Sequence, residues 1–209
     1  MQTKLLLFSD VHAHEDRCRD LVAQSETADI VIGAGDFGNL RMQLDSTIAI
    51  LKAIKKPTVI VPGNAESFEE LVAACRDWPE ATILHGSGTT VNSIRFYGIG
   101  GGIPVTPFGS WSYDFSEDEA RALLADCPER AVLVTHSPPK GAVDASSTGR
   151  SLGSAAVRET ILAKKPPLVV CGHIHESAGQ QAVIGASTVI NAGPTGILWE
   201  LPTGKAFAG

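Results

Sequence analysis

Leu5-Leu6-Leu7-Phe8-Ser9-Asp10-Val11-His12 is the stretch on which the reading of the fold turns. Its apolar run is strand-sized, and the polar residues begin immediately where the run stops. The same arrangement recurs along the chain. Ile30-Val31-Ile32-Gly33-Ala34-Gly35 ends in Asp36, and Thr58-Val59-Ile60-Val61-Pro62-Gly63 ends in Asn64. Ala131-Val132-Leu133-Val134-Thr135 ends in His136, and Leu168-Val169-Val170-Cys171-Gly172 leads into His173-Ile174-His175. In open α/β sheets, ligands bind in the crevice beyond the carboxyl ends of the strands. Five strand ends therefore bring Asp10, His12, Asp36, Asn64, His136, His173 and His175 to one rim, using four of the six histidines.

Between these runs lie amphipathic stretches. Strands over residues 4–8, 29–32 and 58–61 alternate with helices over 15–24, about 42–54 and 67–76. Ser67-Phe68-Glu69-Glu70 has the spacing of a capping box. Such alternation implies βαβ units and a largely parallel sheet. The middle changes character: 82–84, 89–91 and 93–99 are close-spaced strands, with a tight hairpin at Val91-Asn92-Ser93-Ile94. Residues 100–113 (GGGIPVTPFGSWSY) form a loop too polar and kinked for a regular element. A helix over 117–125, a strand over 131–135, a loop over 137–153, a helix over 154–163 and a strand over 168–171 follow. The tail, 180–184, 188–191 and 196–200, reads as antiparallel strands. The expected class is a mixed α/β fold with two sheets, in one domain spanning 1–209.

Composition bounds the function. The chain has 209 residues, 44% hydrophobic and 19% charged, which excludes disorder, collagen and coiled coil. No apolar run approaches the ~18 residues of a membrane helix, and the start reaches Ser9-Asp10 too soon for a secretory core. A cytoplasmic protein is expected, with no membrane partner. The 17 basic and 23 acidic residues give a net charge of −6, against a sequence-independent nucleic-acid groove. A bound metal reverses that sign locally, so an anionic substrate stays open. Cys18, Cys75, Cys127 and Cys171 stand singly, as reduced, buried thiols do, and form no thiolate zinc site.

Taken one at a time, the polar residues have plainer readings. Asp10 could cap a helix, Asp36 brace a turn, Asn64 belong to a turn pair, and His136 be structural. Asp-x-His and His-x-His resist that reading, because residues at i and i+2 point the same way from an extended chain.

The ordered set Asp10-Val11-His12, Gly35-Asp36, Gly63-Asn64-Ala65-Glu66, Thr135-His136 and Gly172-His173-Ile174-His175 resembles the calcineurin-like metallophosphoesterase superfamily, including its small prokaryotic phosphodiesterase-like members. The resemblance implies a four-layer αββα sandwich of two packed mixed sheets flanked by helices. It implies that Asp10, His12, Asp36 and His175 hold one metal and that Asp36, Asn64, His136 and His173 hold the other, with Asp36 bridging. Two divalent ions (Mn, Fe or Zn, with Mn expected in vitro) follow. The implied reaction is attack of a dinuclear-metal-bound hydroxide on the phosphorus of a small phosphoester, with Asp36 and Asn64 in the catalytic machinery. A diester is favoured. A phosphomonoesterase or phosphoprotein phosphatase is the alternative within the enzyme class, and a catalytically weak scaffold with the same fold the alternative outside it. A nuclease is disfavoured by the acidic balance. A homo-oligomer stays open.

One departure matters. The family's third motif commonly carries His where this chain has Ala65, and a methyl donates no proton. His14 is the candidate substitute, as proton donor and phosphate contact. Glu66 either orients a ligand or caps the next helix. Phe108, Trp111 and Tyr113 are candidates for an apolar wall at the pocket mouth, with the filling of a small core under the loop as the plainer reading. Arg150, Lys140, Asn39 and Arg41 are candidate substrate contacts, with Arg41 a weak one. His85 reads as a turn residue.

Overall fold

A computed structural model describes residues 2–202. The apolar runs become strands because they bury both faces at once, as strands of parallel sheets do. In β1 (Gln2–Phe8), Leu5 and Leu7 face the other sheet, whereas Leu6 and Phe8 face helices.

The first sheet has the order β11-β1-β2-β3-β4, with β2 Ile30–Gly33, β3 Thr58–Ile60, β4 Ala81–Ile83 and β11 Ile197–Pro202. β1 to β4 run parallel, and β11 closes the edge antiparallel to β1. The second sheet has the order β5-β6-β7-β8-β10-β9, formed by Ser87–Val91, Ile94–Ile99, Val132–Thr135, Leu168–Cys171, Ser187–Asn191 and Gln181–Ile184 respectively. Its central four strands are parallel, and β5 and β9 pair antiparallel at the edges. Leu5, Ile32, Val59, Phe96, Val134 and Val170 pack between the sheets.

Helices α1 (Glu15–Ser25), α2 (Leu44–Leu51) and α3 (Phe68–Ala74) cover the outer face of the first sheet through Leu21, Ile48, Leu51 and Leu71. On the second sheet, α4 (Glu117–Leu124) and α5 (Ala155–Lys164) do the same through Leu124, Val157 and Ile161. The result is the four-layer αββα sandwich. All four cysteines are free and buried. No helix among the described residues is long and apolar enough to cross a membrane.

The hairpin at Asn92-Ser93 forms with both residues at positive φ, 49° and 64°, the geometry that follows the twist of the flanking strands. Ser67 and Glu70 make the reciprocal capping box of α3. Two expectations need correction. The second helix is shorter than 42–54, because Gln43 is left-handed (φ 63°) and Met42 is bonded back to Asn39 in a turn. The tail strands are not one antiparallel set. β10 inserts parallel beside β8, while β11 crosses to the first sheet, where its apolar side chains add to the core between the sheets.

Candidate metal centre

The parallel strands of both sheets end at the same rim, and the polar residues that follow them converge there. Asp10, Asp36 and Asn64 come from the first sheet, and His136, His173 and His175 from the second. Asp36 lies at the junction. Its Oδ2 is 3.5 Å from His12 Nε2 and its Oδ1 is 3.4 Å from His136 Nε2. On the outer side, His12 Nε2 lies 3.0 Å from His175 Nε2, which is 3.6 Å from Asp10 Oδ1. On the inner side, Asn64 Oδ1 is 3.1 Å from His136 Nε2 and 2.9 Å from His173 Nδ1.

These spacings fit ions. Donors bonded at ~2.0–2.1 Å to one first-row dication stand roughly 3.0 Å apart at right angles and roughly 3.4 Å apart in a tetrahedron. The tautomers agree. A carbonyl only accepts, so His136 Nδ1 donates to Ala34 O (2.8 Å) and His12 Nδ1 points its proton at Gly38 O (3.3 Å). Each ring then directs the lone pair of Nε2 inward. Asp10, His12 and His175 lie close enough to hold one ion, and Asp10, Asp36 and His136 form a second such cluster that overlaps the inner group.

Electrostatics favour the ligating form at His173 and Asp10, whereas the carboxylates beside His136 and His175 shift those two rings upward. Burial, then the neighbouring His136, lower the His173 pKa to about 3, so the ring stays neutral. Burial opposes the charge on Asp10, but the hydrogen bond with His175, the nearby His136 and Ser9 outweigh it and hold the carboxyl at about 2. The backbone is bent to deliver these groups. Asp10, His12, Asp36 and His173 all have positive φ, between 44° and 68°, which costs stability and is typical of functional sites.

Two glycines admit the close approach. A Cβ on Gly63 would overlap Asp36 Oδ1, and one on Gly172 would overlap Asp10 Oδ2. Glu66 orients the site and does not cap the helix. Its buried carboxylate accepts the backbone N–H groups of Asp36, Phe37, Gly38 and Gly63, tying two ligand turns together. Burial, then the Asp36 charge, push its carboxyl up to about 7 against the pull of those N–H donors.

Some supporting residues carry no separate sequence signal. Asn64 Nδ2 donates to Ser112 Oγ, which donates to Asp114 Oδ1, so the loop after β6 turns the Asn64 oxygen toward the histidines. Asn191 Nδ2 donates to Gly172 O and Ile174 O, bracing the His173–His175 turn. Asn191 does end the apolar run Val189-Ile190, the same pattern that marks the ligands. Ser112 sits in an irregular loop, where one hydroxyl among many gives nothing to read.

The other candidates are placed as follows. Exposed His14 lines an open cavity of about 260 Å³ beside Asp10, His12 and His175. Neither Phe108 nor Arg150 lines that cavity. Phe108 is 50% exposed and stacks on Trp111 at 5.5 Å, and Arg150 is an exposed residue of the 137–153 loop. Arg41 pairs with Glu70 at 2.8 Å and reaches Trp111 O. Lys140 and Asn39 are exposed. His85 is held among Phe68, Tyr113 and Phe115, accepting the Gly100 N–H, which makes it a structural hub.

Residues 3–206 match the calcineurin-like phosphoesterase superfamily domain. No curated protein matches the chain. Among solved structures, it is similar to TT1561 of Thermus thermophilus (TM-score 0.76, 19% identity, 93% of this chain and 91% of that one). It is also similar to the phosphopantetheinyl hydrolase PptH of Mycobacterium tuberculosis (TM-score 0.60, 14% identity, 92% and 89%). A third similar structure is a dimetal phosphatase from Danio rerio (TM-score 0.59, 15% identity, 90% and 86%). At these identities the three structures support the fold alone, whereas the family match spans nearly the whole chain. The chain therefore belongs to the calcineurin-like phosphoesterase superfamily, a family of dimetal-dependent phosphoester hydrolases.

Proposed function

We propose that the chain is a phosphodiesterase that holds two divalent ions and hydrolyses its substrate by direct attack of water on phosphorus. The observation that supports this most is the Asp36 carboxylate, whose two oxygens face two separate donor groups. Asp10, His12, Asp36 and His175 would hold the outer ion, and Asp36, Asn64, His136 and His173 the inner one. Carboxylate, amide oxygen and imidazole together suit Mn²⁺, Fe or Zn²⁺, and Mn²⁺ is the ion assigned for assay. Bound there, two dications supply Lewis acidity toward water and phosphate oxygens.

The chain itself supplies position. Asp36 and Asn64 are buried and fixed by bonds from Ala65 N–H and to Ser112, so little reorganisation accompanies reaction. Among the described residues, no side chain that touches the ligands is poised as a covalent nucleophile. Ser9 Oγ is committed to Asp10 and Gly193, and Ser112 Oγ to Asn64 and Asp114. Ala65 is buried and its N–H is spent on Asp36, so position 65 gives the leaving oxygen no proton. His14, on the cavity wall, is the assigned donor. Substrates whose leaving group needs little protonation are favoured, and this supports an activated diester over an alkyl monoester.

The test is to strip the protein of metal, add back Mn²⁺, Fe²⁺ or Zn²⁺, and compare bis-p-nitrophenyl phosphate with p-nitrophenyl phosphate. Two ions per chain by elemental analysis and a higher kcat/KM on the diester are expected. A monoester preference overturns the diester assignment, and a chain that takes up no ion overturns the whole reading.

A further inference from the structure

The cavity beside the outer ligands contains a cation that the reaction at the metal centre does not use. Arg17, in the first turn of α1, is half-buried and lines the same space as His12, His14 and His175. Of its acidic neighbours in the helix, Glu15 and Asp16 are taken by Arg19, and Asp20, three residues on, makes no ion pair with it. Arg19 binds Glu15 at 2.7 Å and Asp16 at 3.0 Å, and among the described residues the Arg17 guanidinium has no hydrogen-bonded or ionic partner. His14 precedes the helix without making a side-chain capping bond, so its ring is also free to donate. Ala178 and Pro194 supply an apolar floor.

We propose that Arg17, with His14 beside it, binds a second phosphoryl group of the substrate, so that the compounds this chain hydrolyses carry two phosphates, one at the metal ligands and one in this cavity. The proposal rests on the phosphodiesterase reading and narrows its substrate class. Charge and size both point this way. Two dications against Asp10 and Asp36 leave +2, and the attacking hydroxide lowers that to +1, which the single negative charge of a simple phosphodiester balances. Arg17 adds another cation, so a more anionic ligand balances the pocket better. A guanidinium fork matches phosphate oxygens bidentately. The open cavity of about 260 Å³ has room for a compact anionic group beside the outer ligands.

Calorimetric titration of the Mn²⁺-loaded protein with inorganic pyrophosphate and with orthophosphate tests this. Arg17→Ala is expected to weaken pyrophosphate about tenfold more than orthophosphate, with Arg17→Lys in between. In assays, the ratio of KM for a nitrophenyl diphosphate ester to KM for bis-p-nitrophenyl phosphate rises by a similar factor. Thermal melts and metal content of the variants show that fold and centre survive. Equal weakening of both anions, or no change in the KM ratio, overturns the assignment of Arg17. Failure of the parent protein to hydrolyse either ester sinks the phosphodiesterase reading instead, and the titrations still decide the role of Arg17.

Discussion

Ala65 shows how much one side chain decides. Its methyl is 2% exposed, its N–H holds Asp36 Oδ1 at 2.8 Å, and nothing at that position carries a proton to a departing oxygen. Ala65→His places an imidazole there, and activity on an alkyl phosphodiester should rise about a hundredfold, the low end of general-acid effects. Steady-state kinetics at fixed Mn²⁺ check it, and an unchanged or lower rate removes Ala65 as the reason for weak leaving-group assistance. His173 makes a second prediction. Its pKa of about 3 lies below the usual 6.5 because of burial and the nearby His136, so protons bind the unfolded chain better. The stability this ring allows is complete above pH 6.5 and is lost as pH falls toward 3. At pH 5 the loss is about 2 kcal/mol. His136 and His175 shift upward beside Asp36 and Asp10 and work in the opposite sense, so the comparison needs a variant. In the metal-free protein, His173→Asn should gain about 2 kcal/mol relative to the parent between pH 7 and pH 5 in denaturant titrations. Parallel pH curves would rule out this account of His173.

At the scale of elements, the loop between β6 and α4 does what no strand can. It carries no regular structure, yet it holds Asn64 twice: the side-chain Nδ2 donates to Ser112 Oγ, and the backbone carbonyl accepts the Tyr113 N–H. Ser112→Ala leaves the backbone bond and removes the bond that orients the amide. The inner ion should therefore bind about tenfold more weakly while the outer ion keeps its affinity, since the outer donors Asp10, His12 and His175 do not touch the loop. Stepwise Mn²⁺ titration followed by paramagnetic resonance resolves the two events, and an equal loss at both contradicts this role. The contrast explains what the sequence made legible. Apolar runs such as Val132–Thr135 announce themselves because a strand buried on both faces needs consecutive apolar residues, and a polar residue just past the run can only lie at the rim. Ser112 and Asp114 act through loop geometry that the chain reaches only after folding. Periodicity also says nothing of which sheet a run joins, so β10 and β11, both strand-sized runs of the tail, separate into different layers.

For the whole molecule, the two sheets meet most rigidly where their apolar interface ends. Between them lie side chains such as Leu5, Val59, Phe96 and Val170, a contact without direction that tolerates sliding. At the rim the contact becomes specific: Asp10, Asp36 and Asn64 from one sheet face His136, His173 and His175 from the other across 2.9–3.6 Å. Ions bound as proposed would join the layers at the turns where Asp10, Asp36 and His173 hold positive φ. An ion that binds only the folded chain stabilises it by about 2.7 kcal/mol at a hundredfold excess over its Kd, so two ions contribute about 5 kcal/mol. For a chain of this size, about 2–4 °C of Tm per kcal/mol makes that roughly 10–20 °C. Chelation should lower Tm by that amount, and Mn²⁺ should restore it. The loss of protection should also have a place. Amide exchange should quicken at the ends of β1, β2, β7 and β8 and in the turns carrying Asp10, Asp36 and His173, and least near Val91 and Ile184, the ends of the edge strands β5 and β9 farthest from the rim. Exchange that rises evenly over both sheets would show that the ions stabilise the fold only through mass action and do not join its layers.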